Sequence, residues 1–478
     1  MPGVDITTIT RTGPVAQNLA PSGQLFMAGM AERGSTTAPV LIRGLADFVA
    51  KFGQRVSYSH LYDNIATFFE EGGAQAYVIR VVGPSATKGT ISVNDRQTVG
   101  EPSLKFDAKS AGAWSGDVDV VVSDLSGGVT QVAVVYSGTT VETFTGSTVA
   151  DIIEAFNDSE YLTVSDLASD GVAPANKPAV GTYNVSAGTD DRSNITDTHY
   201  TAALALFNIA YGSGAVAIPG VGSTVHAALI AHAAANRRVA LLSETETASQ
   251  ATLESTADGL NSEFAGLFAP WVQIASPTGT RYTSPEGYVA AVRNRAHTEV
   301  GPWRAPAGQI AVARSVIGLK YEYTRDESNE LDAAKVNVIR YINNSVRLYG
   351  WRSLSDDTAN YALLTGRDLL NFVVVAAEAK LEQFVFQTID GKGHLLAAIG
   401  GTLTGVLEPI RAAGGVFEKY DAAGDLVDPG YIVETGSTVN TLENLANNEV
   451  KARVSLRPSP TAAMISVTIV KVGLLSNL

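Results

Sequence analysis

The strongest constraint on the fold is the alternation of apolar strand-like runs with helical stretches in two separate parts of the chain. Near the N-terminus, Gly23–Met30 and Ala76–Val82 are short and continuously apolar, the kind of run that lies buried inside an α/β sheet. Between them, Leu45–Phe52 sets Ala46, Phe48, Val49 and Phe52 at helical spacing. Tyr58–Glu71 does the same with Leu61, Ile65, Phe68 and Phe69, and Gly72 and Gly73 end it. The pattern resumes at His199. Tyr200–Phe207 reads as helix, Gly214–Ile218 as strand, and Ser223–Arg237 as helix with Ser223 at its N-cap. Val239–Leu242 reads as strand, Ala248–Phe264 as helix, Ala269–Ala275 as strand and Glu286–Arg295 as a further helix. Strands and helices alternating at this spacing predict a largely parallel sheet.

From about Ser85 to Ile195 the texture differs. Thr90–Val93, Val118–Val122, Val129–Tyr136, Val141–Thr145, Tyr161–Val164 and Tyr183–Ser186 are strand-prone and separated by Gly, Ser, Asn and Asp turns. One helical stretch, Thr148–Asn157, lies among them. This reads as a mostly β insertion that folds by itself and faces outward. After Asp356–Tyr361 come two long helices, Gly366–Ile389 and His394–Ala413. The first combines a wide apolar stripe with Arg367, Asp368, Glu378, Lys380 and Glu382, which fits a core helix with a wet face or a helix that meets a partner.

Both chain ends are strand-like. Val4–Thr10 is β-prone, with Val4, Ile6 and Thr8 at period two, and is followed by a loose stretch carrying Gly13, Pro14 and Pro21. At the other end Glu449–Leu456 alternates polar and apolar residues, which places Val450, Ala452, Val454 and Leu456 on one face. Pro458 and Pro460 stop that strand. A last run, Met464–Val472, includes Ile465, Val467 and Ile469. A single strand cannot satisfy its own backbone polar groups, so each end must pair within the molecule or with a neighbour.

Several chemistries are disfavoured. No cysteine is present, which removes disulfides, thiolate metal sites and thiol nucleophiles. A net charge of −14 without a basic cluster argues against nucleic acid. The six histidines are scattered; His226 and His232 share a helix but lie six residues apart, the wrong spacing for a metal pair. No signal peptide is visible, and Phe372–Ala379 is too short an apolar run to span a bilayer, so a soluble protein with no membrane contact is expected. The one cofactor-like layout is Pro219-Gly220-Val221-Gly222-Ser223 after a strand, with Glu244 in the position of a ribose-binding acid. Val225 stands where a third glycine would be, so a tight structural turn and no cofactor is the reading taken.

The segments Ser284-Pro285-Glu286-Gly287-Tyr288-Val289-Ala290-Ala291-Val292-Arg293, Gly301-Pro302-Trp303-Arg304-Ala305-Pro306-Ala307-Gly308, Asn337-Val338-Ile339 and Tyr349-Gly350-Trp351-Arg352-Ser353-Leu354 occur in an order that resembles the contractile bacteriophage tail sheath family. Asn440–Asn448, the alternating strand and Pro458–Val467 extend the resemblance, as does Ala217-Ile218-Pro219-Gly220. It implies an α/β, overall α+β, multidomain protein. Residues 1–22 would be an N-terminal arm, 23–84 and 196–355 two parts of a parallel-sheet core, and 85–195 the inserted β domain. Residues 356–463 would form a C-terminal α+β domain and 464–478 a terminal strand. The resemblance further implies a non-enzymatic, homo-oligomeric sheath of stacked hexameric rings around a tail tube protein, with baseplate and tail terminator proteins as further partners. It would be assembled in the host cytoplasm and located in the virion tail. Its subunits would be linked by strand exchange through Val4, Ile6, Thr8, Val450, Ala452, Val454, Leu456, Ile465, Val467 and Ile469, with the polar face of Gly366–Ile389 toward the tube. The rival expectations are an α/β enzyme with a dinucleotide site at Gly220–Gly222, or a surface-layer or adhesin protein.

Overall fold

The computed structural model describes residues 22–463 apart from Thr278. Its first elements are β1 (Leu25–Gly29), β2 (Val40–Ile42), α1 (Leu45–Phe52), α2 (Leu61–Glu70) and β3 (Ala76–Arg80). β1 and β3 pair in parallel, and β2 runs antiparallel along the outer side of β3. All five residues of β1 are buried. The pleat sends Leu25 and Met27 to one side, among Phe48, Leu61, Ile65 and Phe68, while Phe26 and Ala28 enter a second core with Leu204, Phe207 and Leu229.

The chain then leaves the sheet. It forms β4 (Thr90–Asn94), β5 (Pro102–Ala108), β6 (Val118–Asp124), β7 (Thr130–Tyr136), β8 (Thr139–Gly146), α3 (Val149–Ala155), β9 (Leu162–Asp166) and β10 (Gly181–Asn184). These make a three-stranded sheet, β4-β5-β9, and a four-stranded one, β10-β6-β7-β8, all antiparallel. Leu104, Phe106, Val120, Val134, Ile152 and Phe156 fill a hydrophobic cluster of their own. The Thr148 hydroxyl accepts from the Asp151 N–H while the Asp151 carboxylate accepts from the Thr148 N–H, a reciprocal cap that starts α3. β5 is absent from the sequence reading because Pro102, Lys105 and Asp107 mask it; Leu104, Phe106 and Ala108 still alternate inward.

After the insert follow α4 (Asp197–Leu206), β11 (Gly214–Ala217), α5 (His226–Ala235), β12 (Arg238–Leu242), α6 (Gln250–Asp258), β13 (Ala265–Ala269), β14 (Val272–Ser276), β15 (Gly279–Thr283), α7 (Glu286–Glu299), β16 (Gly318–Leu319), α8 (Arg325–Ala333), β17 (Val336–Ile342) and β18 (Ser345–Leu348), of which β11, β12, β13, β17 and β18 complete the main sheet. The strand order is β18-β17-β13-β12-β11-β1-β3-β2. The six inner strands are parallel and the two edge strands antiparallel to their neighbours. Two readings need correction. The expected strand Ala269–Ala275 is two strands divided at Pro270: β13 lies in the main sheet, and β14 in a separate sheet with β15 and β16. Ala-Gly-Leu-Phe-Ala has weak strand propensity and is placed there by burial on both faces. Ser223 caps nothing; Ser223–Val225 is a 3₁₀ turn and α5 begins at His226.

The C-terminal part comprises α9 (Thr358–Tyr361), α10 (Leu364–Leu381), α11 (His394–Ala412), β19 (Lys419–Tyr420), β20 (Leu426–Asp428), β21 (Tyr431–Glu434), α12 (Leu442–Ala446) and β22 (Arg453–Leu456). α11 is long and apolar enough in composition to cross a membrane, which the sequence reading passed over. Its Leu403, Leu407 and Ile410 instead lie in clusters with residues of α10 and β21.

Candidate assembly surfaces

β22 pairs antiparallel with β21 in a sheet of only two four-residue strands. Val454 and Leu456 pack against Leu369, Phe372, Leu407 and Ile410, while Arg453 and Ser455 face solvent. The alternation read from the sequence therefore holds for four residues. Val450 and Ala452 stand before the strand, because the buried Asn440 side chain occupies the backbone of Lys451. Its Oδ1 accepts from the Lys451 N–H and its Nδ2 donates to the Lys451 carbonyl, both at 2.7 Å. A sheet this small is short of the three strands that sustain one alone, and no third strand of the described residues joins it. Beside it runs a groove of about 620 Å³ lined by Trp303, Thr358, Gly366, Ile432, Ser455 and Pro460 among others. Trp303, from the Gly301–Gly308 loop, also packs on the cluster under β22. The end residues Val4, Ile6, Thr8, Ile465, Val467 and Ile469 lie outside the described residues.

α10 is fixed to the main sheet by charge. Arg293 of α7 donates to Asp368 from Nε (3.1 Å) and from Nη2 (2.6 Å), His297 lies 3.6 Å from the same carboxylate, and Arg293 also reaches the Ser22 carbonyl at 2.7 Å. Burial opposes the Asp368 charge, yet Arg293 and then His297 outweigh it and hold its pKa below the ordinary carboxylate range. Burial, reinforced by Arg293, keeps His297 below the ordinary histidine value. Asp368 thus corrects the expected wet face: it is a buried anion beneath α10. Arg367 is paired with Glu263 at 3.1 Å and Glu378 with Arg237, whereas Lys380 and Glu382 are exposed. The helical period alone does not reveal which polar residues of the stripe find partners across the interface.

The Gly220–Gly222 turn sits where the strand order reverses, between β1 and β11, the place at which α/β sheets commonly hold a ligand. Here side chains fill it. Gly220 (φ 73°) lies against His60, whose ring a Cβ would meet at 2.7 Å, and Gly222 (φ 85°) lies against Thr245. Trp271 stands edge-on to His60 at 4.8 Å and donates to the Glu244 carbonyl. The Glu244 carboxylate accepts from Thr256 at 2.7 Å and not from a vacant cleft. At the start of α7 the buried Glu286 accepts from Ser243 at 2.6 Å, so a protein carboxylate stands where an anionic ligand would. Burial, then Arg281, lowers the His60 pKa to about 4.

The inserted β unit is joined to the main sheet through Arg33 and Arg80, residues that carried no signal in the sequence. Arg33 is 4% exposed, lies 4.1 Å from the centroid of Tyr161 and 5.8 Å from those of Trp114 and Tyr136, and donates to the Tyr161 hydroxyl. Arg80, 2% exposed, donates to the carbonyls of Ala31 and Ala111 and pairs with Asp190. Tyr136 donates to Glu32 at 2.6 Å.

The fold is similar to that of solved contractile sheath proteins. The sheath tail protein of Listeria innocua matches with a TM-score of 0.61 over 88% of this chain and 90% of that one, at 14% identity. That of Desulfitobacterium hafniense gives 0.58 over 91% and 93%, at 15% identity. The helical sheath of the anti-feeding prophage in its contracted state gives 0.56 over 98% and 100%, at 13% identity. By sequence, no family model and no curated protein matches the chain.

Proposed function

We propose that this chain is a non-enzymatic sheath subunit that polymerises into a contractile helical tube. The observation that carries the reading is the end-to-end likeness to the anti-feeding prophage sheath, 98% of this chain against 100% of that one. Copies stack as rings around a tail tube protein, bounded by baseplate and terminator proteins, in the tail of a virion assembled in the host cytoplasm. Strands from the ends of one copy, around Val4, Ile6 and Thr8 or Ile465, Val467 and Ile469, add to the β21–β22 sheet of another. There they take up edge N–H and C=O groups, with Val454 and Leu456 holding the receiving strand from below. Contraction changes ring twist and rise while these strands keep the copies connected. Lys380 of α10 and Glu382 just after it are the charges free to meet the tube. Electron microscopy of the purified chain tests the reading: hollow tubes are expected, and discrete cofactor-binding particles or flat sheets would contradict it.

A further inference from the structure

Charge is unevenly distributed over the molecule. Residues 85–195 hold fifteen Asp and Glu against six Lys and Arg, most of the −14 carried by the whole chain. Residues 301–321 and 336–352 hold six Lys and Arg and no acid at all. These two segments pack together at the β18 edge of the main sheet. The Ala313 N–H donates to the Val346 carbonyl, Arg347 donates to the Gln309 side chain, and the Tyr341 hydroxyl donates to the Ile317 carbonyl. The loop is held rigidly, because the Glu71 carboxylate accepts from the main-chain N–H groups of Arg314, Ser315 and Val316.

Within this patch Lys320 pairs with Glu246 and Arg352 with Asp332. The guanidinium groups of Arg304, Arg314, Arg340 and Arg347 form no ion pair among the described residues. Arg340 and Arg347 stand directly opposite each other across the β17–β18 hairpin, a like-charge pairing that weakens a hairpin unless an anion is supplied. Tyr349 and Ile317, both about half exposed, lie in the same segments. The acidic unit departs from β3, six strand intervals away in the sheet order, or about 30 Å at the usual strand spacing. The two charged regions therefore stand at opposite ends of one sheet and cannot satisfy each other within one chain.

We infer that the β17–β18 basic edge of one copy docks against the acidic inserted unit of the next. This interface is heterologous, and head-to-tail contacts of that kind close into rings or run on as helices. It rests on the sheath reading and adds to it a side-to-side contact distinct from strand addition. The partner surface is centred on α3, where Glu154, Asp158 and Glu160 are exposed and have no cation within 4 Å among the described residues.

The test is assembly of the full chain, followed by sedimentation and electron microscopy from low to molar salt. Arg340→Glu with Arg347→Glu should raise the concentration needed for tubes about tenfold or more, as should Glu154→Lys with Asp158→Lys and Glu160→Lys. The second variant alters only exposed positions, so it remains informative if the first does not fold. Combining both sets, which reverses the charges on both sides, should restore assembly of a chain that folds. Tubes from either reversed variant at wild-type concentration would overturn this contact and leave the sheath reading standing. A wild-type chain that forms no tubes would overturn both.

Discussion

The inserted β unit and the C-terminal part end their sheets in opposite ways. The insert joins seven strands into two sheets over one continuous core, and its contact with the main sheet is sealed by two buried arginines. The C-terminal part has two two-stranded sheets, two small clusters and large apolar side chains in solvent, with Phe386 fully exposed and Leu442 at 87%. One region is finished within a single chain. The other is docked firmly at its root, through Asp368, and left incomplete at its far end. That difference is why strand addition by a second copy is proposed at the β21–β22 sheet.

The largest effect should follow removal of the insert. The sequence suggests a unit that folds by itself and predicts that joining residues 84 and 196 leaves the rest intact. The structure adds that excision uncovers Arg33 and Arg80 and removes Tyr161, Ala111 and Asp190 as their partners, leaving each only a main-chain carbonyl of the core, Val49 and Ala31. The shortened chain should be less stable and less soluble, because the contacts that seal the insert against the main sheet are lost together. A stable excised chain with both arginines retained would mean that the insert is an appendage.

Asp368→Asn comes next. It leaves Arg293 buried against a neutral amide, so denaturant unfolding should show a loss of about 3–5 kcal/mol. Hydrogen exchange should rise in α10 and near Ser22 before it rises in the insert. Uniform loss of protection across the molecule would remove the distinction between a docked root and a loose end.

Asn440→Ala should act more weakly and more locally. It deletes two hydrogen bonds to the Lys451 backbone and one to the Thr435 carbonyl, worth about 1–3 kcal/mol together, and should loosen the entry to β22 and the turn after β21. Exchange confined to residues around 435–440 and 450 would agree; unchanged segments would mean that Asn440 does not hold them.

Acid should separate the regions with the smallest perturbation. His60 and His232 have pKa values lowered to about 4, in both cases by burial first and then by a neighbouring arginine. Unfolded, they would take up protons near pH 6.5, so the stability of the main sheet should fall as pH drops from about 6.5 toward 4. The insert contains no histidine. Its tip is tied by Asp95, whose pKa the Ser169 hydroxyl, with Gln97 and the Glu101 N–H, presses down to about 2. That contribution is complete above the unfolded value near 3.8 and is lost only as pH falls through about 2. Near-ultraviolet dichroism should therefore show the main sheet loosening first; simultaneous loss would contradict the assignment.

Where one force decided local structure, the sequence was legible. Leu45–Phe52 is a helix over the residues its apolar spacing marked, and the alternation of β7 reads directly as burial. β13 was hidden because burial on both faces removes any period and its residues have little strand propensity of their own. The candidate surfaces were legible only in part. Val454 and Leu456 alternate as read, but the side chain of Asn440, eleven residues upstream of Lys451, delays the start of the strand. Asp368, Arg33 and Arg80 look like ordinary surface charges until the topology brings Arg293, the aromatic residues and Asp190 against them.

The central claim is that the incomplete β21–β22 sheet is finished by the end of another copy. It is tested most directly by sedimentation and electron microscopy of the chain lacking Met1–Ala20, beside its circular dichroism melt. A strand of five or six residues contributes several backbone hydrogen bonds at roughly 0.5–1.5 kcal/mol each, enough to decide polymer against monomer without changing the fold. The expected result is an unaltered melt with no tubes, where the full chain forms them. Tubes that persist without these residues would contradict strand addition by the N-terminal arm.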